Sequence, residues 1–497
     1  MRNLLSKHDL RHLDFLEFLV KNKEKWTLLK TITDHLSIPL RTIQSDIQEI
    51  NTYLAPLSIT ASPMGIKLIL PLNYSERYIY KKILEKSLNF QLIEYIFFHE
   101  EQSIKDLSDI FYISESTIKR MIKNINLIFQ QESFMIQTNP ISLVGDERKI
   151  TQFMSFYFNE KYFSPEEFLT PIQINLISKL VSETLKKIDK DFNFPNLKRI
   201  FTYIYLNCAR LSNHHDIPIT HKNIFLTDIL EDEAFCAEFF EEFQLQLSVS
   251  VIQKLFHIFS SDDYLFTMKD LHFLIQSNTK QRKLSEEIKQ VLEDISTHFN
   301  IPLNSQTADN LLLDLINIIN IRNNNCSQLF ILYNKRERFL SNLSINYIHV
   351  RNMIKNYLMK NISLNFSDFE WNELNYILLT HWNDLYDQFR LIEKPIKLNL
   401  IIDTDIEHGH LIKRELETYS RYNIEVEVLK GNLLTQLQNQ SADNIILTNI
   451  PGIENKTSPV LCFEEFLSPS EWRILDSMIE NILSERMRKN SIDIPNS

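Results

Sequence analysis

Residues 29–51 read LKTITDHLSIPLRTIQSDIQEIN, and residues 104–126 read IKDLSDIFYISESTIKRMIKNIN. The two stretches align without a gap over 23 positions, and eight are identical: Lys30/Lys105, Asp34/Asp109, Ile38/Ile113, Thr42/Thr117, Ile43/Ile118, Ile47/Ile122, Ile50/Ile125 and Asn51/Asn126. A repeat at a fixed offset, here 75 residues, marks a duplicated supersecondary unit. In the first copy Leu29, Ile32 and Leu36 keep helical spacing, Ser37-Ile38-Pro39 interrupts, and Ile43, Ile47 and Ile50 form the inward stripe of a second helix. In the second copy Ile104, Leu107 and Phe111 play the first part, Ser114 is placed to cap the second helix, and Ile118, Ile122 and Ile125 face inward.

Two short helices joined by a three-residue turn make a helix-turn-helix, whose second helix enters the DNA major groove. At about 100° per residue, the side opposite the inward stripe carries Arg41, Ser45, Gln48 and Thr52, with Gln44 flanking, in copy one and Ser116, Arg120 and Lys123, with Lys119 beside them, in copy two. Arg and Lys there can meet phosphates or guanine, and Gln can meet adenine. A plain helical hairpin with a solvated polar face is the alternative for either copy alone. Each repeat continues into a β-like hairpin. The first runs from Leu57 and Ile59 through Pro63-Met64-Gly65 to Ile66–Leu70, and the second from Phe134–Ile136 through Asn139-Pro140 to Ile141–Val144. With Ile66 set against Ile141 and Leu68 against Leu143, the 75-residue offset is expected to hold through these wings. The candidate DNA contacts are Arg41, Thr42, Gln44, Ser45, Gln48 and Lys67, then Ser116, Thr117, Lys119, Arg120 and Lys123.

The chain of 497 residues has room for several cores, and its net charge of −11 is unusual for a nucleic-acid binder. The deficit lies C-terminal: residues 1–160 carry 19 basic and 19 acidic side chains, and residues 1–86 carry 13 against 9. DNA contact needs a basic face rather than a basic protein. Residues 115–129 carry +2 and residues 39–54 carry −1, so the second copy is expected to supply more phosphate affinity. Cys208, Cys236, Cys326 and Cys462 are scattered without a CxxC pair, which argues against a disulfide framework or a zinc site and suits a cytoplasmic protein. The sequence shows no apolar run long enough to span a membrane, no phosphate-cradling glycine loop in the middle, and no metal, cofactor or catalytic constellation. No glycine occurs between Asp146 and His408, which favours helices there.

A weaker repeat follows. Leu185, Ile188, Phe192, Asn193 and Pro195 match Leu292, Ile295, Phe299, Asn300 and Pro302, and Ile200, Ile204, Leu206 and Arg210 then match Leu312, Ile316, Ile318 and Arg322. From Lys397 onward strands alternate with helices: 397–402, 424–429, 443–448 and 459–462 as strands, and 407–420, 432–440 and 469–487 as helices. This implies a small parallel α/β sheet. The expected fold is mainly α and multidomain, with winged helix-turn-helix units over 1–72 and 73–164, helical domains over 165–280 and 281–393, and an α/β domain over 394–497.

This order resembles the Mga/AtxA-type family of bacterial virulence regulators. The resemblance is carried by Ser37–Asn51, Ser114–Asn126, Leu206–His215 and Leu379-Thr380-His381-Trp382. It implies that the helical domains are phosphotransferase-system regulation domains (PRDs) and that the last domain is like a IIB component of a sugar phosphotransferase system. It further implies a homodimer or higher homo-oligomer that binds double-stranded DNA and responds to histidine phosphorylation by phosphocarrier proteins. The chain departs from that pattern. Tyr203 and Leu315 stand seven residues before Arg210 and Arg322, where a histidine is expected, so His214, His215 and His381 become the phosphorylation candidates, with His221 nearby. The loop 403–408 of the α/β domain lacks a cysteine nucleophile, and His408 and His410 are weak substitutes. That domain therefore reads as a docking or dimerisation module. The runner-up reading is a PRD-type RNA-binding antiterminator; a phosphotransferase component, the only enzyme class in view, stands behind it.

Overall fold

In the computed structural model the described residues are 1–497 except 24, 186–193, 219–227, 258–264, 266, 323–329, 344–353, 365, 383, 386–393, 430–440, 442 and 493–497. They divide into two compact units, Met1–Phe266 with Ile319–Lys335, and Thr267–Ile318 with Arg336–Ser497.

The first unit opens with α1 (Lys7–Lys21), α2 (Leu29–Leu36) and α3 (Leu40–Tyr53), then the hairpin β1 (Ser58–Ser62) and β2 (Gly65–Ile69). After α4 (Arg77–Lys86) and α5 (Leu88–Phe98) the pattern recurs as α6 (Ile104–Phe111), α7 (Glu115–Phe129), β3 (Phe134–Thr138) and β4 (Ile141–Gly145), followed by α8 (Glu147–Lys161). Local chemistry explains the boundaries. Ser37 and Tyr112 adopt the left-handed conformation (φ 55° and 53°), which ends α2 and α6 and turns the chain toward the next helix. Ser103 and Asp106 cap α6 reciprocally, and Ser114 caps α7 by accepting from the Thr117 N–H. Ile43, Ile50, Ile118, Ile122 and Ile125 are buried as their spacing requires, while Ile47 is half-buried. Behind the second copy the core is aromatic, with Phe90, Phe97, Phe129, Phe153, Tyr157 and Phe158 all buried.

The wings correct one expectation. Ile66 and Ile141, and Leu68 and Leu143, do occupy matching buried positions. The first strands do not keep the offset, because Ile59 pairs with Leu68 whereas Ile136 pairs with Leu143. Ile59 and Ile136, 77 residues apart, are therefore the equivalents. A 3-10 turn at Gln130–Glu132 lengthens the path from α7 to β3. Both hairpins close with two-residue loops, Pro63-Met64 and Asn139-Pro140, but the second closes one rung sooner after these pairs, placing Thr138 opposite Ile141 where the first places Ala61 opposite Ile66 and adds Ser62 opposite Gly65. Two compensating changes restore the apparent offset. Gly65, at φ 123°, is required where it stands: a Cβ there would lie 2.3 Å from the Thr27 carbonyl oxygen, which accepts from the Ile66 N–H.

The unit continues with α9 (Pro171–Leu185) and α10 (Phe194–Ser212), packed with Glu233–Phe243 around Ile177, Leu180, Ile200, Ile204 and Phe239. Segment 331–333 also belongs here. The buried Glu160 carboxylate accepts the backbone N–H groups of Ile331, Leu332 and Tyr333 at 2.6, 2.8 and 3.1 Å.

In the second unit Met268–Ser277, Thr279–Phe299 and Asp368–His381 are helical, as are residues 305–318 of the helix Ser305–Arg322. Leu312 and Ile316 are buried as Ile200 and Ile204 are; the Arg322 side chain, with residues 188, 192 and 193 of the repeat and His221, lies outside the described residues. The α/β region is a parallel sheet in the order β6-β5-β7-β8, with β5 at Ile396–Ile401, β6 at Ile424–Val428, β7 at Asn444–Thr448 and β8 at Val460–Cys462. Helices Ile406–Tyr419 and Pro469–Ile492 accompany it, and Leu398, Leu400, Ile412, Leu416, Ile445, Leu447, Leu475 and Ile479 form its core. The expected helix 432–440 lies outside the described residues.

Candidate nucleic-acid interface

Each repeat holds its second helix by the inward isoleucines and by one polar clamp. The Asn51 side chain donates to the Ile59 carbonyl at 2.9 Å and accepts from the Ile59 N–H at 2.8 Å. Asn126 makes the same pair with Ile136, both at 2.8 Å. The clamp ties the end of each second helix to the first strand of its wing, so helix and hairpin are presented together. Asn51 and Asn126 are an identical pair in the repeat, and that identity was the signal of a shared task. The partners could not be foreseen, because the wings break the offset that aligns the helices.

The outward faces are open. Arg41, Gln44, Ser45 and Gln48 of α3 are exposed, as are Ser116, Lys119, Arg120 and Lys123 of α7. Lys67 on β2 is half-buried. Thr42 and Thr117 are half-buried as well. Thr117 is drawn into the helix cap, its hydroxyl 2.9 Å from the Ser114 Oγ and its N–H donating to that oxygen. It orders the helix start rather than projecting outward. Lys119 lies 3.7 Å from Glu115, an exposed pair one helical turn apart that water largely screens.

Formal charge misstates the first face. Its two acids lie toward the back of α3. Asp46 is buried and receives Arg11 through Nε and Nη2, both at 2.8 Å, with the Nε2 of the buried His12 at 3.2 Å. Burial raises the Asp46 carboxyl, but the Arg11 and His12 contacts reverse this and leave it below the usual carboxylate range. Glu49 is paired with Lys86. What α3 turns outward is Arg41 with amides and a hydroxyl, so the two faces differ by less charge than the sequence suggests. Among the described residues, His8, His12, Asp46 and Glu49 are the group of donor atoms that converges closely enough to hold a metal ion.

The phosphorylation candidates separate by geometry. His214 is exposed at the end of α10. His215 has both ring nitrogens engaged, Nε2 at 2.7 Å from Glu100 and Nδ1 at 3.3 Å from Glu147. The Glu100 and Glu147 contacts push its imidazole up to about 9, so it is protonated at neutral pH. His381 is exposed and places Nδ1 2.7 Å from Asp314, while its neighbour Trp382 is buried and donates to the Pro302 carbonyl. In the α/β region His408 is bonded through both nitrogens, to Thr404 Oγ1 and the Glu465 carbonyl, each at 2.8 Å, and Cys462 sits on β8.

The sequence marked Arg210 as a repeat position and as the arginine from which the expected histidine is counted, but not for its contacts. It is fully buried, and its guanidinium donates to Glu100 at 2.6 Å, to both oxygens of Glu147 at 2.7 and 2.8 Å, and to the Leu143 carbonyl of β4 at 2.7 Å. One side chain of α10 thus grips the second wing and the helices beside it. No helix among the described residues is long and apolar enough to cross a membrane.

Residues 72–158, which hold the second repeat and its wing, match the Mga helix-turn-helix domain. Over 483 residues the chain is 26% identical to a Streptococcus pneumoniae protein named as a trans-acting regulator, covering 92% of this chain and 94% of that one. It is also 26% identical over 218 residues to the capsule synthesis positive regulator AcpA of Bacillus anthracis, covering 44% of this chain and 45% of AcpA. A third relative, the anthrax toxin expression trans-acting positive regulator of the same organism, is 26% identical over 152 residues, 30% of this chain and 32% of that one.

Proposed function

We propose, from the premise that this chain is a member of the Mga/AtxA-type family of transcription regulators, that it binds duplex DNA through α3 and α7 with the two wings alongside. The observation that carries the reading is the duplicated presentation. Two helices of one repeat each turn a solvent-open row of Arg, Lys, Gln and Ser outward, and each is clamped to its own hairpin by an asparagine. Arg120 and Lys123 supply phosphate affinity. Arg41, Gln44 and Gln48 carry more of the base and shape readout, and Lys67 reaches the backbone from the wing. Arg120→Ala with Lys123→Ala tests it: duplex affinity falls, and the slope of log K against log salt shrinks by up to about 2, roughly one for each phosphate contact removed. Unchanged binding across the titration removes α7 as a reader. A competing RNA hairpin distinguishes duplex DNA from RNA as the ligand.

The regulatory reading is that the helical domains act as PRDs, that phosphocarrier proteins modify histidine, that the chain works as a homodimer or larger homo-oligomer, and that the IIB-like domain serves docking or dimerisation. Of the three candidates, His214 and His381 offer exposed rings, whereas His215 is committed to two carboxylates as a cation. Transfer from labelled phosphocarrier protein is therefore expected on His214 or His381 first. Label confined to His215 overturns that order.

A further inference from the structure

The back of α3 holds an arrangement that DNA binding does not require. His8 and His12, one turn apart on α1, meet Asp46 and Glu49, one turn apart on α3, and one donor atom from each lies within 4.8 Å of all the others. His12 Nε2 is 3.2 Å from Asp46 Oδ1 and 3.9 Å from Glu49 Oε2, and His8 Nε2 is 3.1 Å from Glu49 Oε2. Ligands at 2.0–2.2 Å around a tetrahedral ion stand roughly 3.4 Å apart, so these separations need only small side-chain adjustments. We propose that His8, His12, Asp46 and Glu49 form a binding site for a divalent first-row transition cation of the Zn2+ or Mn2+ kind, which braces α1 against α3.

Three features favour a cation over a plain ion-pair network. The first is the donor set: two imidazoles and two carboxylates suit borderline dications, whereas Mg2+ and Ca2+ prefer all-oxygen sites. The second is the supporting shell. His12 is fully buried, its Nδ1 lies 3.1 Å from the Tyr53 hydroxyl, and that contact can fix the ring with Nε2 toward the centre. His8 Nδ1 faces the buried Asp9 carboxylate at 3.9 Å, and Ser6 donates to Asp9. The third is the placement of the native cations. Arg11 holds Asp46 through Oδ2 and one lone pair of Oδ1, and Lys86 holds Glu49 through Oε1, so Glu49 Oε2 and the second lone pair of Asp46 Oδ1 remain toward the histidines. Arg11 then orients a ligand, while Lys86, whose Nζ is also 3.5 Å from His12 Nδ1, competes electrostatically with an incoming ion. No CxxC or HExxH spacing announces the site, because its ligands come in two pairs from helices far apart in sequence.

The test uses the full chain freed of metal with a chelator and titrated calorimetrically with ZnCl2, MnCl2 or MgCl2. One equivalent of Zn2+ binds, Mg2+ does not, and Zn2+ slows hydrogen exchange in α3 and raises Tm. His8→Ala and Glu49→Gln, both on the exposed side of the cluster, weaken Zn2+ by at least tenfold, since loss of a mere supporting partner already costs 10–100-fold. Lys86→Gln tightens it, a response that an ion-pair network without a metal role does not give. The inference fails if Zn2+ uptake is the same in His8→Ala and Glu49→Gln as in the parent chain, if Mg2+ binds as well as Zn2+, or if Lys86→Gln leaves the affinity unchanged. It stands apart from the DNA reading, because every readout is taken without nucleic acid.

Discussion

Replacing His215 with glutamine should make the first unit less stable by an amount that depends on pH. The imidazolium bridges Glu100 and Glu147 and is only 19% exposed. Those contacts raise it from 6.5 to about 9. Each tenfold change in proton affinity is worth about 1.4 kcal/mol, so the bridge supplies at most about 3 kcal/mol. The working value is lower, about 1 to 3 kcal/mol, because Arg210 neutralises the same two carboxylates whether or not His215 is present. Since the folded-state value lies above the unfolded one, the stabilisation is complete below pH 6.5, declines above it, and is lost once the pH passes 9. At roughly 2–4 °C per kcal/mol, the parent chain should melt about 2 to 12 °C above His215→Gln at pH 6, with the gap closing toward pH 9.5. Thermal melts of both proteins at half-unit pH intervals measure the gap, and titrations common to both cancel. A gap that stays constant, or widens with rising pH, refutes the idea that His215 acts as a bridging cation.

Other outcomes follow from single contacts. Asn51→Ala and Asn126→Ala each remove two hydrogen bonds to a wing strand, and each should cost about 1–3 kcal/mol by thermal melting and loosen hydrogen exchange at Ile59 or Ile136 respectively, leaving the other wing protected. Gly65→Ala meets both a positive φ and the Thr27 carbonyl, so it should destabilise the first wing more than Gly452→Ala, where nothing lies within 4 Å, destabilises its loop; melts of the two variants compare them. Glu160→Ala should release the amides of Ile331, Leu332 and Tyr333 to fast exchange, and retained protection there would show that other groups hold the segment. Arg210→Met should break the tie between α10 and the second wing, raising exchange in β3 and β4 while leaving β1 and β2 as they were.

Much of the fold was readable because its signals are local. Isoleucines every three or four residues, Ser103 and Ser114 before helices, and a Pro/Gly turn between alternating strands each act through neighbours a few residues away. The outward rows of α3 and α7 follow from the same periodicity, and all but Thr42, Thr117 and Lys67 of the chosen contacts are exposed. The α/β region was legible for a related reason: buried parallel strands are continuous apolar runs, and the helices between them are amphipathic.

The order of elements, the twin second helices and their outward faces were thus properties of the chain itself, since helical period and capping act within a dozen residues. Tertiary contact decided what no spacing reveals. It neutralised Asp46 and Glu49 behind α3, gathered His8 and His12 beside them, set His215 between Glu100 and Glu147, and buried Arg210 against the second wing. Each of these depends on charges tens of residues apart in sequence meeting in space, and where they are buried, as at Asp46, His12 and Arg210, the energy of a charge is set by its partners rather than by its neighbours in sequence.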